Sequence, residues 1–201
     1  MVRTVSRVLG AVGLVVVVGA VVRVGAGYTT VTVTSDAMRP TYTPGERVFL
    51  ERIEAGEARR GDVVLQRSDD RYRGLAVLQR VIGAGGDRVT QQTGEPVTVN
   101  GKPLAEPYVK DGDPSGAAPP YDVVVPEGRL FLLGDHRANS NDSRYFLDDQ
   151  SGTVADRAVL ARPLDDRSGL VGAGLTALVG LVLVLGAIAT EIAGRRRRPT
   201  R

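Results

Sequence analysis

LAVLQRVIGAGGDRV, residues 75–89, sets two runs rich in valine and isoleucine on either side of Gly85-Gly86. Short β-branched runs favour extended backbone, and a Gly-Gly pair accepts the angles of a tight turn, so this stretch reads as two strands and their connection. Working outward, similar runs recur at YTTVTVT (28–34), RVFLE (47–51), DVVLQ (62–66), PVTV (96–99), VVV (123–125) and RLFLLG (129–134). Pro44-Gly45, Arg60-Gly61, Asn100-Gly101 and Glu127-Gly128 fall between them. Asn100-Gly101 inside 97–104 is a two-residue hairpin signal. No long 3.6-residue period appears between residues 28 and 168, so the expected class is mainly β with little helix. KDGDPSGAAPP (110–120) reads as a surface loop with solvated aspartates.

The pattern changes at both ends. VLGAVGLVVVVGAVV (8–22) is uncharged and follows Arg3 and Arg7; Arg23 and four small or apolar residues complete a stretch to 27. Fifteen residues is short for a bilayer span of roughly 20, but the Arg23 stem can carry its charge to the interface, so 1–27 is expected to be a cytoplasmic end plus a membrane anchor. A cleaved secretory signal ending near Ala26 competes with that reading, against a poor cleavage site beside Arg23. GLVGAGLTALVGLVLVLGAIAT (169–190) is a cleaner transmembrane helix, followed by a basic tail over 191–201. Basic flanks stay in the cytoplasm, which places both termini inside and residues 28–168 outside the plasma membrane.

The 201 residues carry 26 basic and 23 acidic side chains, a net charge of +3, and Arg195 to Arg198 with Arg201 exceed that excess. The remainder is slightly acidic and offers no nucleic-acid footprint; the arginine run is expected to touch membrane lipid. Cysteine is absent and His136 is the only histidine. Disulfides, thiolate metal sites and a cysteine nucleophile are excluded, and neither a metal nor a cofactor is expected.

Four segments carry chemistry: SDAMRPT (35–41), RGDVV (60–64), QRVIGAGGDRV (79–89) and GDHRANSNDSR (134–144). With these residues the chain resembles the type I signal peptidases, membrane-bound serine proteases that remove signal peptides from exported proteins. In that family the first segment reads Ser-x-Ser-Met-x-Pro-Thr, the third opens Lys-Arg-x-x-Gly-x-x-Gly-Asp, and the fourth reads Gly-Asp-Asn-Arg-x-Asn-Ser-x-Asp-Ser-Arg. The resemblance implies a signal-peptidase-like antiparallel β domain between two transmembrane helices. It covers roughly residues 31–147.

Three positions depart from the pattern: His136 stands where the family has Asn, and the other two fall on the reactive groups. The family's nucleophilic serine falls on Ala37, and its general-base lysine falls on Gln79. A methyl group has no lone pair to attack a carbonyl, and an amide oxygen is far too weak a base near pH 7. The supporting positions match: Ser35 where a hydroxyl assists the oxyanion hole, Ser140 near the base, and Asp142 with Arg144 as a bracing pair. Thr34, Met38 and Leu78 are expected to line the substrate groove, between 30–35 and 75–79.

A relocated dyad finds little support in the sequence. On an extended strand Ser35 would share a face with position 37 but lie about 6–7 Å away. Lys102 and Lys110, the only lysines, fall outside the matched segments, and His136 reads as a structural turn residue. The expected function is therefore a non-catalytic signal-peptidase-like membrane protein whose groove binds signal peptides, exported precursors or an active paralogue. Its alternatives are an active signal peptidase using non-standard groups, and a structural or regulatory membrane protein.

Overall fold

The computed structural model describes residues 2–68, 70–164, 166 and 168–196. The chain divides into two compact units: residues 29–163, and the two terminal stretches 1–28 and 164–201 taken together.

The central unit is antiparallel β. Seven strands form one sheet in the order β1 (Tyr28–Thr32), β2 (Arg47–Arg52), β11 (Val159–Pro163), β3 (Val63–Arg67), β4 (Ala76–Ala84), β9 (Arg129–Leu133) and β10 (Val154–Ala155). Four more form a second sheet, ordered β7 (Lys102–Pro103), β6 (Thr98–Val99), β5 (Arg88–Gln91) and β8 (Tyr121–Val124). In β2 only Val48 and Leu50 are buried, the alternation of a strand covered on one face. From Leu130 onward strand β9 is apolar, because both of its faces are covered there. Leu130 and Leu132 pack with Val64, Val81, Val154 and Val159 on one side. Phe131 and Leu133 pack on the other with Ile82 of β4 and with Val89, Val99, Tyr121 and Val123 of the second sheet.

The turns form as the sequence predicts. Asn100 and Gly101 have φ of 54° and 75° and join β6 to β7 with Val99 opposite Lys102, the positive-φ pair that a right-twisted two-residue hairpin requires. Asp87 follows Gly86 and accepts the backbone N–H of Ala84 at 2.9 Å, closing the turn from β4 to β5. One expectation needs correction: the first run ends as a strand at Thr32 rather than residue 34. The 110–120 loop keeps Asp111 and Asp113 exposed, as expected. It is also anchored, because Ser115 and Ala118 are buried and Asp113 accepts the backbone N–H groups of Ser115 and Gly116.

In the terminal unit, α1 (Val2–Gly27) and α2 (Ser168–Arg196) are both longer than the expected spans and long and apolar enough to cross a membrane. They pair along small residues: a Cβ on Gly13 would lie 2.6 Å from the Gly180 carbonyl oxygen, so only glycine lets the backbones meet there. Near the chain ends, the Ser6 hydroxyl donates to the Ala187 carbonyl at 2.9 Å, and Arg7 Nε meets Glu191 Oε1 at 3.0 Å. Residues 197–201 of the basic tail, and the side chains of Arg195 and Arg196, lie outside the described residues.

Candidate functional site

A cavity of about 600 Å³ opens in the central unit where two strand edges are left unpaired. One is β1, the edge of the seven-stranded sheet. The other is the first half of β4: residues 76–79 pair with β3 on one side, and β9 takes the opposite side only from Arg80 onward. Thr34, Ser35, Ala37, Met38, Leu78, Gln79 and Ser140, seven of the residues singled out from sequence, all line this cavity. Asp142 and Arg144 lie beneath it, and Lys102, Lys110 and His136 are not among its lining. Among the described residues no Asp, Glu, Lys, Arg or His lines the groove.

Residue 37 sits on a turn. After β1 the chain is held once more by the bond from Val33 N–H to the Glu46 carbonyl (2.9 Å), then bends; Arg39 N–H returns to the Asp36 carbonyl (3.0 Å) and Tyr42 N–H to the Met38 carbonyl (2.9 Å). Ser35 and Ala37 therefore do not stand two apart along an extended strand, which removes the basis of the same-face spacing expected from sequence. The turn is clasped from the 134–144 loop: His136 N–H donates to the Ala37 carbonyl at 3.0 Å, and its Nδ1 lies 3.3 Å from the Asp36 carbonyl. Gly134 makes this approach possible, since a Cβ there would come within 2.6 Å of the Ala37 oxygen and collide with Ser140 Oγ. The Ser140 hydroxyl is itself buried and has no hydrogen-bond partner among the described residues.

Gln79 is buried and its amide is fully engaged. Its Oε1 accepts from Gln66 Nε2 at 3.2 Å, while its Nε2 donates to the Tyr72 hydroxyl at 3.2 Å and the Asn141 carbonyl at 3.1 Å. Burial raises the Tyr72 phenol above its ordinary pKa, against the opposing hydrogen bond from Gln79, so the hydroxyl stays neutral. Tyr72, Gln66 and Asn141 escaped sequence reasoning. Tyr72 belongs to a short 3-10 segment (Tyr72–Gly74) held by Arg71, whose guanidinium donates to the Gly152 and Thr153 carbonyls and to Asp149. Asn141 contributes a backbone oxygen, for which residue type carries no signal.

Charge-assisted bonds brace the floor. Arg144 meets Asp142 through Nε and Nη2 at 2.7 and 2.8 Å with both side chains fully buried, and also donates to the Ser115 and Arg137 carbonyls. Arg137 donates to the Gly134 carbonyl and to Glu106, a partner that no motif announces. Arg80, next to Gln79, meets Asp135 at 2.8 and 2.6 Å. Burial works against the Arg80 charge, but the two hydrogen bonds and the attraction of Asp135 outweigh it and raise its pKa. Among the described residues no three His, Asp or Glu side chains gather closely enough to hold a metal ion.

Residues 2–163 match the family described as "Signal peptidase, peptidase S26". The chain is 37% identical over 117 residues to a signal peptidase I of Bacillus licheniformis, covering 54% of this chain and 61% of that protein. It is 36% identical over 121 residues to signal peptidase I T of Bacillus subtilis (strain 168), covering 56% and 61%. The chain thus spans about three fifths of the length of these curated relatives. A crystal structure of a signal peptidase I from Enterococcus faecalis V583 aligns with a TM-score of 0.41 and 28% identity, over 53% of this chain and 96% of that one.

Proposed function

Because this chain belongs to the signal peptidase, peptidase S26 family, we propose that it is a signal-peptidase-I-like membrane protein that holds signal peptides or extended precursor segments in its groove without cleaving them. Ala37 and Gln79 stand at the nucleophile and base positions, with Ser35, Ser140, Asp142 and Arg144 as their retained supports. Residues 1–27 and 169–190 anchor it in the plasma membrane with both termini cytoplasmic, and residues 28–168 face outward.

The observation that carries this reading is the state of Gln79. Hydrolysis by the family's route needs an oxygen on residue 37 and an amine whose lone pair is free to take its proton. Ala37 supplies no oxygen, and both ends of the Gln79 amide are committed to Gln66, Tyr72 and Asn141. The unpartnered Ser140 hydroxyl of the same groove supports this view, since a buried hydroxyl is left without the donor that Gln79, bonded elsewhere, does not supply.

Binding needs less than catalysis. An extended peptide can add itself as a strand between the open edges of β1 and residues 76–79, its backbone satisfied by theirs and its small apolar side chains set against Val31, Leu65 and Ala76. Titrating the full-length protein in detergent with a labelled signal-peptide fragment tests this reading. Saturable binding in the micromolar range is expected, with the fragment recovered intact; no association at high micromolar concentration refutes it.

A further inference from the structure

The paired helices of the terminal unit treat their ionisable residues differently at their two ends. Near the chain termini Arg7 is matched by Glu191 at 3.0 Å. Arg23, in the last two turns of α1, is exposed and makes no hydrogen bond or ion pair among the described residues. Asp166, the described acid preceding α2, accepts the backbone N–H of Ser168 at 2.9 Å. An arginine within an apolar span is costly unless its head reaches the interface or a counter-charge, and such a residue marks a site whose partner must be found.

Arg23 stands over a cavity of about 500 Å³ between the two helices. The glycines here differ from those at the crossing. A Cβ on Gly13 would strike the facing helix, whereas a Cβ on Gly19 or Gly172 would meet nothing within 4 Å. The latter pair leaves a channel open. Thr176 lines it too, but its hydroxyl donates to its own helix at the Gly172 carbonyl (2.9 Å), which leaves the Arg23 guanidinium as the cavity's free side-chain donor among the described residues. The Tyr28 hydroxyl packs against Gly169 at this same end, the place of an interfacial aromatic. Arg23 is five residues before it, roughly 7.5 Å deeper, a distance that a snorkelling arginine spans.

We propose that this groove binds one anionic phospholipid of the adjoining leaflet, its phosphodiester on Arg23 and its acyl chain along Gly19 and Gly172. A phosphodiester offers the acceptor oxygens that a planar guanidinium matches with two parallel bonds, and a net negative headgroup adds attraction that a zwitterionic one lacks. The proposal rests on the reading of α1 and α2 as membrane spans.

The test uses full-length protein in nanodiscs of phosphatidylcholine with a minor fraction of phosphatidylglycerol, followed by native mass spectrometry of the lipid retained. The wild type keeps one phosphatidylglycerol per chain, about five-fold in preference to phosphatidylcholine. Arg23→Gln brings that preference to parity. Gly172→Leu, which fills the channel and leaves Arg23 in place, loses the bound lipid, and Arg7→Gln keeps it. Retention of the preference in Arg23→Gln overturns the site, as does a second copy of the chain seated there, seen as a dimer that Gly172→Leu dissociates. Alkaline carbonate extraction separates the two ideas: protein released from membranes overturns the spanning reading and the site with it, whereas protein that stays embedded without the preference overturns the site alone.

Discussion

Gln79 Nε2 donates to the carbonyl oxygen of Asn141 at 3.1 Å, tying a strand edge of the groove to the loop that braces its floor. The side chain proposed to stand at the family's base position is thus part of the wall. Gln79→Leu keeps the size and removes the amide, leaving Gln66 Nε2, the Tyr72 hydroxyl and the Asn141 carbonyl without it. A loss of about 2 kcal/mol in unfolding free energy is expected, with weaker binding of a signal-peptide fragment. Circular dichroism melts and peptide titration check both; an unchanged melt contradicts the role given to this amide.

Asp142 and Arg144 are buried together, and each satisfies the other. Asp142→Ala strands a buried guanidinium and releases the Gly134 N–H that the same carboxylate accepts at 3.1 Å. The expected cost is about 3–5 kcal/mol, read by denaturant titration followed by circular dichroism.

Two glycines with positive φ separate backbone strain from collision. Gly116 has φ +56° and a Cβ there would lie 2.6 Å from the Arg137 carbonyl carbon and oxygen, while Gly45 has φ +89° and open space around it. Gly45→Ala should cost about 1 kcal/mol and Gly116→Ala at least about 3 kcal/mol, because the second must also displace backbone beneath the groove. Equal costs in the two melts contradict the anchored loop.

Much of this fold is legible in composition and period. The valine-rich runs fell on strands, and Asn100-Gly101 fell on a hairpin, because each is a local preference that the sheet reinforces. Strands β10 and β11 were not, since Val154-Ala155 is too short for any period and VLARP carries an arginine and a proline inside five residues. Within the cavity, motif residues such as Met38 and Ser140 could be named in advance. Tyr72 could not, because it arrives on a strap, DRYRG (70–74), that has no periodic pattern and is held by Arg71 over Phe146, with the guanidinium 4.5 Å from the ring centre. Partners separated by long stretches of chain, such as Arg137 and Glu106, leave no mark on local sequence.

Acid stability offers a further check. Burial alone would raise the Asp87 carboxyl, but the Ala84 N–H, Arg60 and Asn100 outweigh it and hold the group below its ordinary value of 3.8. A carboxyl depressed in the folded state stabilises above its unfolded pKa, and that contribution is lost as pH falls through the lower folded value. Asp87→Asn should therefore flatten the loss of stability below about pH 4 and lower stability at pH 7. Melting curves across the acid range decide it; parallel curves for both proteins contradict the assignment.

Restoring the chemistry probes what the groove has kept. On the proposed reading, Ala37→Ser with Gln79→Lys supplies the nucleophile and the base together, and precursor cleavage should appear in the double variant. Either change alone should stay at background, because nucleophile and base act as a unit. Cleavage by a single variant would mean that another group serves as the missing partner.

The most direct test incubates the unaltered full-length protein with an exported precursor and follows both by intact mass spectrometry. The account predicts a precursor of unchanged mass, bound yet uncut, and a protein of unchanged mass with no acyl group attached. Release of the mature fragment at the signal junction, or an acylated form of the wild-type chain, would contradict it.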